Sequence, residues 1–81
     1  MRKELKQANL KQAIVIGCAV ENITLTELAG RIGKDQSNLS TMLTRGNPSL
    51  DTLIDMLNKL NARLIIEYSD GGMVELKIDE V

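Results

Sequence analysis

Histidine, tryptophan and phenylalanine are absent from this 81-residue chain, and cysteine, proline and tyrosine occur once each. With no His and with Cys18 alone, the donor set of a zinc site is missing and no intramolecular disulfide can form. Catalysis lacks its usual parts as well. There is no His, no nucleophile beside a base, no Gly-rich phosphate loop and no pair of carboxylates placed for a cleft, so the chain reads as a non-enzyme without a cofactor. The core has to be aliphatic, and a chain this short buries only about 60% of its extended surface. A dimer interface is the expected supplement to so modest a core. The lone Cys18 reads as a small core residue and suits a reducing, cytoplasmic compartment. The opening MRKELKQANLKQAIVIGC imitates a lipoprotein signal. However, its apolar run before Cys18 reaches only from Ala13 to Ile16, short of the roughly 7 to 15 residues of a signal core. No stretch approaches the roughly 20 apolar residues of a membrane span.

A net charge of −1 conceals a division along the chain. Residues 1–46 hold seven Lys or Arg against four acids, a balance of +3, whereas residues 47–81 hold three against seven, a balance of −4. A basic first half suits phosphates, and an acidic second half would be held away from them or used for another partner. Solvated faces without any target produce sums of this size equally well.

The stretch LTELAGRIGKDQSNLSTMLT, from Leu25 to Thr44, reads as two short helices joined by a tight turn, the helix-turn-helix arrangement. Thr24 is placed to cap the first helix, Glu27 completes a capping box, and Ile23 is placed to staple onto Leu28. Ala29 is small where the helices would cross, and Gly33 stands where the turn needs a left-handed backbone. Leu28, Ile32, Leu39 and Met42 are expected inward. Asp35 caps the second helix and Gly46 ends it.

On these residues the run ITLTELAGRIGKDQSNLSTMLTRGNPSLDTL resembles the Xre-type, lambda-repressor-like helix-turn-helix family. The matching positions are Leu28, Ala29, Ile32, Gly33, Gln36, Ser37, Leu39 and Gly46, then Pro48, Ser49 and Leu50. The likeness covers most of residues 8–61. It implies a four-helix DNA-binding domain in which the second helix of the motif enters the major groove. Three features depart from the common pattern. Many relatives place a phosphate-gripping Gln at the position of Leu25, the interval from Leu39 to Gly46 is one residue longer, and a hairpin replaces a fifth helix.

The first helix is expected over residues 3–21, with residues 13–20 apolar on every side and therefore buried. Gly17 in its interior costs about 1 kcal/mol relative to Ala and points to close approach of another helix. Arg2, Lys3, Lys6 and Lys11 form a basic edge, suited to phosphate contacts and equally to ordinary helix solvation. After Asn47-Pro48, Ser49 is placed to cap a helix with the stripe Leu50, Leu53, Ile54, Leu57 and Leu60, while Asp51, Asp55, Asn58 and Lys59 face outward and Asn61 stops it. From Ala62 the apolar period changes to two, with Leu64, Ile66 and Tyr68 on one run and Val74, Leu76 and Ile78 on the next. A three-residue loop, Asp70 to Gly72, would pair Tyr68 with Val74, Ile66 with Leu76 and Leu64 with Ile78, leaving one face wholly apolar. A two-residue loop would bring Glu75 and Lys77 onto that face. A lone hairpin is marginal in water, so this one is expected to rest on the first and last helices and to contribute to a homodimer through edge pairing of strands.

The whole reads as one domain: a mainly α, four-helix lambda-repressor-like unit over residues 1–61, followed by an antiparallel β-hairpin over 62–81 that serves dimerisation. The expected function is sequence-specific recognition of double-stranded DNA by a dimeric transcriptional repressor. Gln36, Ser37, Asn38, Ser40, Thr41 and Thr44 would face base edges. Gln and Asn bond adenine bidentately, and Ser and Thr take either role. Lys34 and Arg45 would contact phosphates, with the amides at the Thr24 end replacing the missing Gln. The alternative is a protein-binding module, an antitoxin or phage-encoded inhibitor whose target meets the acidic tail. Residues 62–81 carry a balance of −3.

Overall fold

Every helix among the described residues starts at a side chain that folds back onto its own first turn. In the computed structural model, which describes residues 7–77, these caps are Asn9, Thr24, Asp35 and Ser49. They open α1 (Leu10–Val20), α2 (Leu25–Arg31), α3 (Gln36–Arg45) and α4 (Leu50–Lys59), which are followed by β1 (Leu64–Glu67) and β2 (Met73–Leu76). The architecture is mainly helical, four helices and then a two-stranded antiparallel hairpin. Among the described residues no single helix is long and apolar enough to cross a membrane.

The helix ends share a device too. The residue after each helix's last turn is left-handed: Asn22 and Asn61 at φ 57° and 53°, Gly33 and Gly46 at 72° and 66°. Beyond it, an amide reaches back to close the helix, as in Ile23 N–H to Cys18 O at 3.0 Å and Ala62 N–H to Leu57 O at 2.8 Å. That six-to-one bond is the Schellman ending, and it carries Ile23 and Ala62 onto the core as its apolar lock.

The first helix starts later than the expected residue 3. Residues 7–9 are not helical, and positions 3–6 lie outside the described residues. The reason is a second capping box: Asn9 Oδ1 accepts from Gln12 N–H at 2.8 Å, and Gln12 Oε1 accepts from Asn9 N–H at 3.1 Å. An Asn with Gln three places on is a start signal, and the apolar pattern upstream of it does not override that signal.

The core is a single aliphatic cluster. Ile14 and Cys18 enter from α1, Leu28 and Ala29 from α2, Leu39 and Leu43 from α3, and Met56 and Leu60 from α4 and its cap. Of the residues expected inward in the motif, Leu28 and Leu39 are fully buried, while Ile32 and Met42 are half-buried; Leu43 takes the second buried place on α3. In α4 the expected stripe holds apart from its first member: Ile54 and Leu60 are buried and Leu53 and Leu57 half-buried, whereas Leu50 is 55% exposed. Met56, outside that stripe, is fully buried, so the apolar face is broader than spacing alone indicates.

Two larger expectations are overturned. Helix α1 is not buried on every side: Val15, Ile16 and Val20 are 46%, 50% and 74% exposed. Three neighbouring short helices cover only the Ile14–Cys18 stripe of α1. Gly17 does mark a close approach, since a Cβ there would lie 3.0 Å from Leu60 Cδ1.

The hairpin differs in register and in placement. Its strands pair Leu64 with Leu76, Ile66 with Val74 and Glu67 with Met73. The loop has the expected three residues, but they are Ser69, Asp70 and Gly71 rather than Asp70 to Gly72. Gly71 supplies the left-handed position at φ 89°, its N–H donates to Tyr68 O at 3.0 Å, and Tyr68 N–H donates to Gly72 O at 2.8 Å. Shifting the loop by one place slides the pairing by two, which preserves which side chains share a face. The expected partner of Leu64, Ile78, lies outside the described residues. The hairpin also does not rest on the first and last helices. None of its side chains joins the core cluster, and Ile66, Tyr68 and Val74 are 40%, 51% and 46% exposed. Next to its base the helical core is already closed by Leu60 and Ala62.

Two outcomes follow. Leu39→Ala should destabilise the chain by about 2–5 kcal/mol in urea unfolding, whereas Val20→Ala should change stability by less than about 0.5 kcal/mol. Burial pushes the Cys18 thiol above its ordinary value, so a thiol reagent at pH 8 should label Cys18 slowly in the native state and rapidly in denaturant.

Candidate nucleic-acid interface

The polar surface of α3 is positioned by what the helix hides. Leu39 and Leu43, one turn apart, fix its inward side against Leu28 and Ala29. Ala29 is 1% exposed at the crossing, so a larger side chain there would push the two helices apart. Between the helices lie Ile32, Gly33 and Lys34, closed by Lys34 N–H to Ala29 O at 2.9 Å. Gly33 takes the left-handed backbone that this reversal needs.

With the inward side fixed, Ser37, Thr41 and Thr44 follow one another along the opposite side at spacings of four and three. All three are exposed, as are Gln36 at the helix start and Asn38 beside it; Ser40 is half-buried at the edge of the strip. The structure thus places the expected side chains on one helix. It treats Asn38 differently from the rest. Its backbone N–H donates to Asp35 Oδ1 at 2.8 Å and its side-chain Nδ2 donates to Asp35 Oδ2 at 2.9 Å. Asn38 is therefore tied to the cap, with one side-chain N–H and the backbone N–H committed to Asp35.

Cations lie at both ends of the strip. Lys34 precedes the cap and Arg45 closes the last turn, both exposed. Arg31, exposed in the last turn of α2 and three residues before Lys34, is a third cation that the motif reading passed over. Its signal was present in the sequence, because a cation in the last turn of the preceding helix precedes the same turn.

At the Thr24 end the geometry is less open. Thr24 N–H and Oγ1–H both donate to Glu27 Oε1, at 3.2 and 3.3 Å, and Glu27 N–H donates to Thr24 Oγ1 at 3.1 Å. Glu27 thus occupies the place an incoming anion would take, leaving the Leu25 and Thr26 amides.

Comparison with protein-family models, with curated proteins and with solved structures finds no match for this chain.

The Asp35 cap predicts a measurable coupling between local structure and site. Asp35→Ala should cost about 1 kcal/mol of stability through the lost cap. It should also free the Asn38 side chain, seen as narrowed dispersion of its NH₂ signals in an amide NMR spectrum.

Proposed function

We propose that the chain is a sequence-specific DNA-binding transcription regulator of the helix-turn-helix kind, a homodimer that sets α3 in the major groove of each half-site. The observation that carries this reading is the strip Gln36, Ser37, Thr41 and Thr44, exposed and polar on a helix whose opposite side is locked into the core. Uncharged amides and hydroxyls bond base edges, and they add little of the sequence-independent attraction that dominates non-specific binding. Lys34, Arg45 and Arg31 at the ends of the strip supply phosphate contacts that set its register. In such a docking the first helix of the motif crosses the backbone, and a two-fold dimer reads half-sites roughly 34 Å apart. Repression of its own or a neighbouring promoter is the corresponding activity.

A second reading is favoured by one observation. The hairpin exposes Ile66, Tyr68 and Val74 on a single face, which suits a protein target and hence an antitoxin or inhibitor.

Titration against the chain's own upstream DNA and a scrambled duplex, over a range of salt, tests the first reading. Gln36→Ala should lose about 1–3 kcal/mol on the upstream site and discriminate less between the two duplexes, and Lys34→Ala should weaken both and lower the salt slope by about 1. Unchanged upstream affinity in Gln36→Ala would sink this docking.

A further inference from the structure

Most of the exposed apolar side chains among the described residues lie on α1 and on the hairpin, and a groove beside α1 and one face of the hairpin are complementary in chemistry. One is a groove of about 800 Å³ between the N-terminal half of α1 and the end of α3. Leu10, Val15, Ile16 and Leu43 form its apolar lining and Lys11 and Arg45 its charged edge, and no acid lines it among the described residues. Neither cation is in an ion pair among the described residues. The other is the hairpin face of Leu64, Ile66, Tyr68, Val74 and Leu76, with Asp70 in the loop at its tip; Glu67, paired with Met73, lies on the opposite face. Asp70 is also outside any ion pair among the described residues, whereas Glu75 is taken by Arg63 and Lys77.

The hairpin of the same chain is rooted away from this groove. Asn61, just before it, donates through Nδ2 to Glu21 Oε1, which ties the hairpin base to the C-terminal end of α1. The groove belongs to the opposite end of that helix, roughly 15 Å away at 1.5 Å per residue. A two-fold axis removes the separation. If two copies lay their α1 helices antiparallel, Val15 and Ile16, at the middle of α1, would meet their counterparts. The hairpin root of each copy would then stand beside the groove of the other.

We infer that the partner of both surfaces is a second copy of this chain, with α1 packed antiparallel on α1 and the hairpin of each protomer seated in the α1–α3 groove of its partner. This rests on the homodimer of the proposed function and replaces its strand-to-strand edge pairing. The contact is isologous and closes on itself. It gives an otherwise marginal hairpin an apolar seat, brings Asp70 toward Lys11, and covers Val15 and Ile16 of α1. Because Thr44, Arg45 and Gly46 line the groove, assembly also braces the end of α3.

Single-cysteine additions to the full chain test this arrangement, with Cys18 left in place because it is buried. Ala8, Ile16 and Val74 are all exposed, so Ala8→Cys, Ile16→Cys and Val74→Cys should fold, as circular dichroism would verify. A short bismaleimide should join Ile16→Cys to itself. It should also join Ala8→Cys to Val74→Cys when the two variants are mixed, at least about fivefold more than it joins either of those two to itself. In light scattering the unmodified chain should be a dimer at tens of micromolar, and Ile66→Asp should raise the dimer dissociation constant at least about tenfold. A monomer at that concentration, efficient joining of Val74→Cys to itself, or a dimer indifferent to Ile66→Asp would each overturn the inference. DNA titration of the unmodified chain is read separately, so a failed dimer with intact operator binding sinks this arrangement alone, and a sound dimer that ignores DNA sinks the DNA reading alone.

Discussion

The constraint on which this structure depends is the closure of α2 over α3. Leu28 and Leu39 have no exposed surface, and Ala29 has almost none. In a core without Phe or Trp, these aliphatic contacts are the dense centre, and Ile14 of α1 and Met56 of α4 complete it. Close-packed interiors do not deform continuously. The relative setting of the two helices is therefore as fixed as the volumes of these side chains allow, and so is the direction in which Ser37, Thr41 and Thr44 point. A surface for recognition needs that rigidity more than it needs any particular polar residue.

The parts legible in the sequence were those decided by one or two residues. Thr24 with Glu27, Asp35, Gly33, Gly46, Ser49 and Asn61 each do what their local chemistry dictates, because a cap or a left-handed position is satisfied within a single turn. The same held for hairpin parity, since moving a three-residue loop by one place keeps each side chain on its face. What could not be read was set by neighbours. The apolar run from Ala13 to Val20 specifies a helix that wants cover on every side, but whether cover exists depends on how many helices the rest of the chain provides. Met56 joins the core beside the expected stripe of α4, and Leu50 stays out of it, for a similar reason: the cover each finds depends on the other helices. On α3 the outward direction of the strip follows from the inward Leu residues, whereas the commitment of Asn38 to Asp35 is a competition between a cap and a free amide that spacing does not resolve.

The exposed apolar side chains of α1 and the hairpin have a common origin in size. A chain of 81 residues closes one cluster with four short helices, and each helix has a far side. On α2, α3 and α4 those far sides are mostly polar. On α1 the far side is Val15, Ile16 and Val20, and the hairpin adds more. Single exposed aliphatics are ordinary on any protein, but contiguous ones are not. The chain's apolar content exceeds what its own fold encloses, and the excess is concentrated in two elements rather than scattered.

A net charge of −1 would be a poor start for approaching a polyanion if charge acted as a whole. At physiological salt it acts over about 8 Å, so the groups beside α3 decide. Glu27 and Asp35 are both engaged at helix starts: Glu27 accepts the Thr24 N–H, and Asp35, itself a cap, accepts the Asn38 N–H. A carboxylate at that position faces the positive end of the helix dipole, which offsets part of its field, as the negative end does for Arg31 and Arg45 in the last turns of their helices. None of Arg31, Lys34 and Arg45 is in an ion pair among the described residues. The acids that make the chain negative overall are largely those of α4 and the hairpin. Exposed cations thus flank α3 although the chain as a whole is negative.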